Sequence, residues 1–252
     1  MNLKSVLIAA AAILSPVAAS AQDWTGYYLG AEATRAQGDS SADVTLGGQW
    51  SSESAALRNG VTALWSTELE PDGFGGAIFG GYNHEMSSGM VIGFEASYAF
   101  LNAEASRLTP QTVATSTFPA LTYSVGNSAE INSAFNLRGR LGYDFEPLMA
   151  YVIVGYSWAD ATFGAEILSN GGYSKIGESS ESVGGVTWGL GGAWRLNPNW
   201  SVRAEYTRTE YEDGEFATTY RPGSTFTSPA YTETFSQDLS LDTLSIGFTW
   251  HY

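Results

Sequence analysis

The sequence predicts an all-β protein: an eight-stranded antiparallel transmembrane up-and-down β-barrel. Three observations carry this. Apolar residues alternate with small or polar ones in eight segments, each about as long as a tilted strand needs to cross a bilayer. The connections between these segments alternate strictly between short and long. Beyond the first 21 residues no apolar run suffices for a membrane helix, and mean hydropathy is −0.09. A membrane barrel has that bland profile because only every second residue meets lipid.

Residues 1–21 read as a cleaved signal peptide. Lys4 supplies the basic start, Val6 to Leu14 an apolar stretch, and Ala19-Ser20-Ala21 a small-residue cleavage site. The apolar stretch is too short to span a bilayer. The barrel domain is then residues 22–252, with strands expected over Trp24–Arg35, Phe74–Glu85, Met90–Leu101, Ile131–Asp144, Leu148–Ala159, Val183–Arg195, Trp200–Tyr211 and Leu239–Tyr252. "MSSG", "FEP" and "LNPN" make three tight turns at one end. Four long polar loops, roughly 36–72, 102–130, 160–182 and 212–237, lie at the other, as in outer-membrane barrels.

The alternation assigns the faces. Met90, Ile92, Phe94, Ala96, Tyr98 and Phe100 share one side of the third strand, with Gly93, Glu95, Ser97 and Ala99 on the other. A soluble sandwich would bury the apolar side, but it would leave the first and last strands as open edges. The inverse arrangement fits better. "GYYLG", "GGAIFGG" and "GLGG" put small residues where a narrow lumen needs them. Trp24, Tyr82, Tyr98, Tyr143, Trp158, Trp194, Trp200 and Tyr252 recur at strand ends, as in the aromatic girdles of membrane barrels.

The last strand continues to Tyr252 itself. Hydrocarbon tolerates no unpaired edge, so this strand is expected to pair with the first and close the sheet. Its pattern, Ser245, Gly247, Trp250 and Tyr252, also resembles the C-terminal signal read by the barrel-insertion machinery, with Tyr in place of the commoner Phe.

Composition excludes some functions. There is no cysteine, hence no disulfide and no thiol chemistry. Net charge is −15, and after Lys4 the only lysine is Lys175, so nothing forms the basic stripe that nucleic-acid binding requires.

The blocks "GYYLG", "GGYNHE", "VIGFEASY", "NLRGRLGYDF" and "RAEYTRTEY" resemble those of OmpA-like and opacity-type eight-stranded surface proteins of Gram-negative bacteria, the "porin family" of outer-membrane β-barrels. The resemblance covers essentially all of 22–252. It implies residence in the cell outer membrane, contact with membrane lipid and lipopolysaccharide, and a structural or surface role such as membrane integrity, antigen display or adhesion. No peptidoglycan-binding second domain is expected, so the resemblance does not extend to cell-wall tethering.

With the apolar face toward lipid, Glu32, Glu95, Arg138, Arg140, Arg203 and Glu205 point inward. Isolated buried charges cost several kcal/mol each, roughly, so these six are expected to pair into a network that fills the lumen. The alternative is a gate whose rearrangement opens a narrow channel for small solutes or ions. The four loops carry 16 acidic against four basic residues. "ELEPDG" and "EDGE" offer oxygen ligands without the periodic loop of a calcium site, so no metal is assigned. No cofactor motif appears. The two histidines, His84 and His251, fall at the tight-turn rim with no visible triad, so no catalytic residue is assigned and an enzyme is not expected. Any host or surface ligand would meet the Tyr-, Thr- and Ser-rich loops.

Overall fold

The computed structural model describes residues 23–252; the expected signal peptide lies outside them. Eight long strands run β1 Gly26–Gly48, β3 Asp72–Glu85, β4 Met90–Leu108, β6 Thr122–Asp144, β7 Leu148–Ser169, β8 Ser174–Asn197, β9 Trp200–Ala217 and β11 Tyr231–His251. Three short strands, β2 Thr67–Leu69, β5 Thr112–Val113 and β10 Thr219–Tyr220, and one helix, α1 Ala55–Trp65, lie in the connections. Each long strand pairs antiparallel with its chain neighbour. The ring closes where β1 pairs β11, from Tyr28 opposite His251 to Gly48 opposite Tyr231. Tyr252 N–H donates to the Tyr27 carbonyl at 3.1 Å, so backbone pairing continues to the last residue. Among the described residues no helix is long and apolar enough to cross a membrane.

The eight strands appear where alternation places them, but most run well past their expected ends. Much of what reads as loop in 36–72, 102–130, 160–182 and 212–237 is strand. The true connections at that end are 49–71, 109–121, 170–173 and 218–230. The cause is a change of solvent along each strand. Near the tight turns, outward residues such as Ile92, Phe94, Val152, Leu190 and Phe248 are apolar and exposed. Further up, the outward series turns polar at one level, through Arg35, Asp72, Asn102, Asp160, Arg208 and Asp242. Above that level the inward residues become the apolar ones: Val44, Val125, Phe163, Ile167, Phe216 and Phe235 are all buried in one core. The lower half is thus dressed for lipid outside, and the upper half for water. This upper crown stands above the membrane on the long-loop side, the external side of such barrels.

A short 3-10 turn, Gln49–Ser52, leads from β1 into α1. Ser54 caps the helix by accepting from Leu57 N–H at 3.2 Å, and Leu57, Val61 and Trp65 form the buried stripe at four-residue spacing. Gly60 allows the helix to lie against the second connection, since a Cβ there would overlap the Ala114 carbonyl. The helix is one wall of the crown's core.

The outward aromatics at the tight-turn end include Tyr82, Tyr143, Trp194 and Trp200, with Trp158 at the opposite level of the lipid band. One assignment to this girdle is corrected. Trp24 is 2% exposed and lies inside the ring, because its indole N–H has a carboxylate partner there. Tyr98 stays on the outer face, in register with Phe135 and Trp158, with its hydroxyl on Ser133 Oγ at 3.0 Å.

The two halves should respond differently to the same charge. Val152→Arg, in the lipid band, is expected to lower the free energy of refolding into vesicles by about 2–4 kcal/mol, and Thr45→Arg, on the crown's outer face, by less than about 1 kcal/mol. Urea titration of both variants measures this; equal losses would remove the assigned membrane level.

Candidate functional site

The lumen below the crown holds all six of the inward charges expected from the sequence. Their strands bring them to one level by register: Glu95 is opposite Arg138, and Gly247 lies between Glu32 and Arg203 on neighbouring strands. Glu95, fully buried, is the centre. It accepts from the guanidiniums of Arg138 and Arg140, from Arg203 Nη1 at 2.6 Å and from the Tyr28 hydroxyl at 3.0 Å. Arg203 also reaches Glu32 Oε2 through Nε at 3.0 Å and Nη2 at 2.6 Å. Glu205 takes the Tyr151 hydroxyl at 2.7 Å and lies 3.2 Å from Arg138 Nη1. Three carboxylates and three guanidiniums thus neutralise one another.

Aromatic rings cover the cations: Arg203 sits 3.2 Å from the Phe79 ring centre, and Arg140 lies between Tyr28 and Tyr151 at 5.2 and 4.7 Å. The inward glycines make the space. A Cβ on Gly30 would overlap the Phe79 ring, and one on Gly93 would meet Asn83 and the Arg140 stem.

Beneath this cluster, Trp24 lies across the periplasmic mouth. Its indole N–H donates to Asp144 Oδ1 at 3.1 Å, and Arg195 stacks over its ring at 4.2 Å. His251 turns inward against Trp24 and shares a 2.9 Å hydrogen bond with Ser201 Oγ, whereas His84 is exposed on the outer face. Above the cluster is a small cavity of about 40 Å³, lined by Thr34, Ser97, Thr187, Thr209 and Thr243 among others. It ends against the apolar core of the crown.

Of the C-terminal set, Ser245 shares a 2.9 Å hydrogen bond with Thr34, and Gly247 leaves room for Glu32. Trp250 faces outward and packs on Tyr252 at 4.2 Å between ring centres.

The crown contains a second polar centre that alternation alone did not reveal. Glu233, fully buried, accepts from Lys175 Nζ at 2.5 Å, Trp50 Nε1 at 2.6 Å, Thr218 Oγ1 at 2.7 Å and the Tyr173 hydroxyl. Burial, and then the Glu233 carboxylate, hold the Tyr173 hydroxyl well above the ordinary tyrosine range, so it stays a donor. The signal was present in the sequence, since Lys175 is the sole lysine after Lys4 and sits in an alternating segment. Above this centre a pocket of about 210 Å³ opens to the exterior. Among the described residues no three His, Cys, Asp or Glu side chains gather as a metal site.

A family model described as the outer membrane protein beta-barrel domain matches residues 6–251. The 31 kDa outer-membrane immunogenic protein of Brucella melitensis biotype 1 is 25% identical over 229 residues, covering 82% of this chain and 87% of that protein. The 25 kDa outer-membrane immunogenic protein of Brucella canis is 28% identical over 229 residues, covering 85% and 88%. Among solved structures, the outer membrane protease OmpT of Escherichia coli superposes with a TM-score of 0.52 at 9% identity, covering 92% of this chain and 99% of that one, a likeness of fold alone. With a sheet closed on itself, a lipid-facing band and relatives named for the outer membrane, the chain belongs to the outer membrane protein β-barrel domain family.

Proposed function

We propose that this outer-membrane protein is a closed, non-conducting barrel whose function is structural and surface-interacting: it anchors a folded crown at the cell exterior and presents that crown to its surroundings. The single observation that carries this reading is the neutral cluster around Glu95, which fills the lumen with three guanidiniums and three carboxylates in mutual ion pairs. Trp24 below and the apolar crown core above reinforce the closure. The cavity between them has room for about one water, far from a continuous path.

The same reading makes the chain non-catalytic. Ser201 and His251 are in hydrogen-bond contact, but no carboxylate accepts from the other ring nitrogen among the described residues, and Trp24 and Tyr28 pack on the imidazole. The C-terminal set Ser245, Gly247, Trp250 and Tyr252 serves the insertion machinery in this reading, and the lipid band meets membrane lipid and lipopolysaccharide.

Two measurements follow. Residues 22–252 refolded into a planar bilayer are expected to be silent; stable discrete conductance steps would overturn the closed-barrel reading in favour of a narrow channel. Glu95→Gln strands guanidiniums that share one carboxylate and is expected to cost about 3–5 kcal/mol in vesicle refolding, the scale for breaking a buried pair. An unchanged urea midpoint would show that the cluster does not hold the barrel together.

A further inference from the structure

The external pocket has the construction of a binding site. All four external connections or the strand ends beside them contribute to it: Trp50 and Glu53 from the first, Phe118 from the second, Tyr173 from the third, Phe226 and Tyr231 from the fourth. A chance crevice between two neighbouring hairpins would not draw on every one. The polar ends of Trp50 and Tyr173 are tied down on buried Glu233, which leaves their rings in the pocket wall. The wall is therefore fixed before any ligand arrives. Trp50 and Tyr231 meet edge to face at 4.8 Å, and Tyr173 packs on both. Phe118 and Phe226 stand at the rim with 43% and 61% of their surface exposed, an unusual position for phenylalanine in water. Phe226 is held at φ 59, a left-handed conformation that a non-glycine residue adopts only when its surroundings require it.

One charge faces this apolar space. The half-buried Glu53 carboxylate accepts from the Tyr231 hydroxyl at 2.6 Å through Oε1, and Oε2 has no hydrogen-bond partner among the described residues. Lys175, behind the wall, is neutralised by Glu233. The crown strands below the pocket are acidic: segments 36–72, 102–130, 160–182 and 212–237 together hold 16 acidic against four basic residues. Aromatic faces with a carboxylate among them suit a cation on an apolar body, because ring and carboxylate both attract it. We propose that the crown pocket binds a small organic cation, an ammonium or guanidinium carried on a single ring or a short apolar stem. The volume of about 210 Å³ admits one such group and little more. This deepens, and rests on, the reading of the crown as the surface that interacts.

The test compares three probes of nearly equal shape, 2-phenylethylamine, 2-phenylethanol and 3-phenylpropionate, titrated into the full barrel in nanodiscs and followed by NMR. Saturable binding of the amine, at least about fivefold tighter than the alcohol and tighter again than the carboxylate, is expected. Glu53→Gln, a half-buried position, should abolish the preference for the amine while leaving weak binding of the ring; Phe226→Ala should weaken all three probes. Heat-dependent gel migration of each variant confirms that the barrel is intact. No saturable binding of the amine, or a preference for it that persists in Glu53→Gln, would overturn the proposal. Because bilayer conductance is measured separately, a conducting barrel would refute the closed lumen without touching this result.

Discussion

A sheet surrounded by hydrocarbon can leave no backbone group unpaired, and the pairing of β1 with β11 is how this chain meets that demand. Closure at eight strands then fixes the rest. The ring is just wide enough for side chains, so every second residue is forced into a small space with its neighbours. Polar residues there have no bulk water to turn to, and bulky ones fit only opposite glycine. Phe79 over Gly30 and Arg140 over Gly93 are direct results of that crowding. The charges must balance locally, which is why a chain of net charge −15 keeps three guanidiniums beside three carboxylates at its centre.

Along the axis the interior is layered. Trp24 and His251 close the periplasmic mouth, the charge cluster occupies the lipid level, hydroxyl groups line a small cavity, and an apolar core with α1 fills the crown. Each layer suits its outside solvent. Where lipid surrounds the wall, the interior is where polar groups can pair with one another. Where water surrounds it, the ordinary preference returns and the interior is apolar. Glu233 and Lys175 form a buried ion pair against that trend, and Glu233 holds two aromatic rings in fixed orientations.

Strand existence, strand order, closure and the six inward charges were legible because in the lipid band the contrast between faces is large: Ile92, Phe94 and Tyr98 against Gly93, Glu95 and Ser97. In the crown that contrast fades. Inward positions of β1 there are Ala36, Gly38, Ser40 and Ala42, and outward ones are Gln37, Asp39 and Ser41, so a period of two persists with little hydropathy difference to reveal it. Apolar residues facing out therefore mark each strand only as far as the membrane surface. Helix α1 did leave a signal, the cap Ser54 and the spacing of Leu57, Val61 and Trp65, but it is short and was absorbed into a loop. The convergence of Glu233 with Trp50, Tyr173 and Lys175 depends on partners about 58–183 positions apart in sequence, which no local pattern encodes.

The crown's outer face also bears on how such a molecule reaches its place. Asp39, Asp43, Glu104, Glu178, Glu210 and Asp238 all face water beyond the lipid band. For a chain exported to the periplasm, each of these carboxylates has to traverse the bilayer's thickness once, at about 2.5–3.5 kcal/mol apiece if it entered hydrocarbon unaided. Six at once would raise a barrier of about 15–21 kcal/mol against direct entry into hydrocarbon. Simple partitioning of finished hairpins is therefore disfavoured for this chain. Its acidic crown crosses at lower cost by a hydrated route than through hydrocarbon.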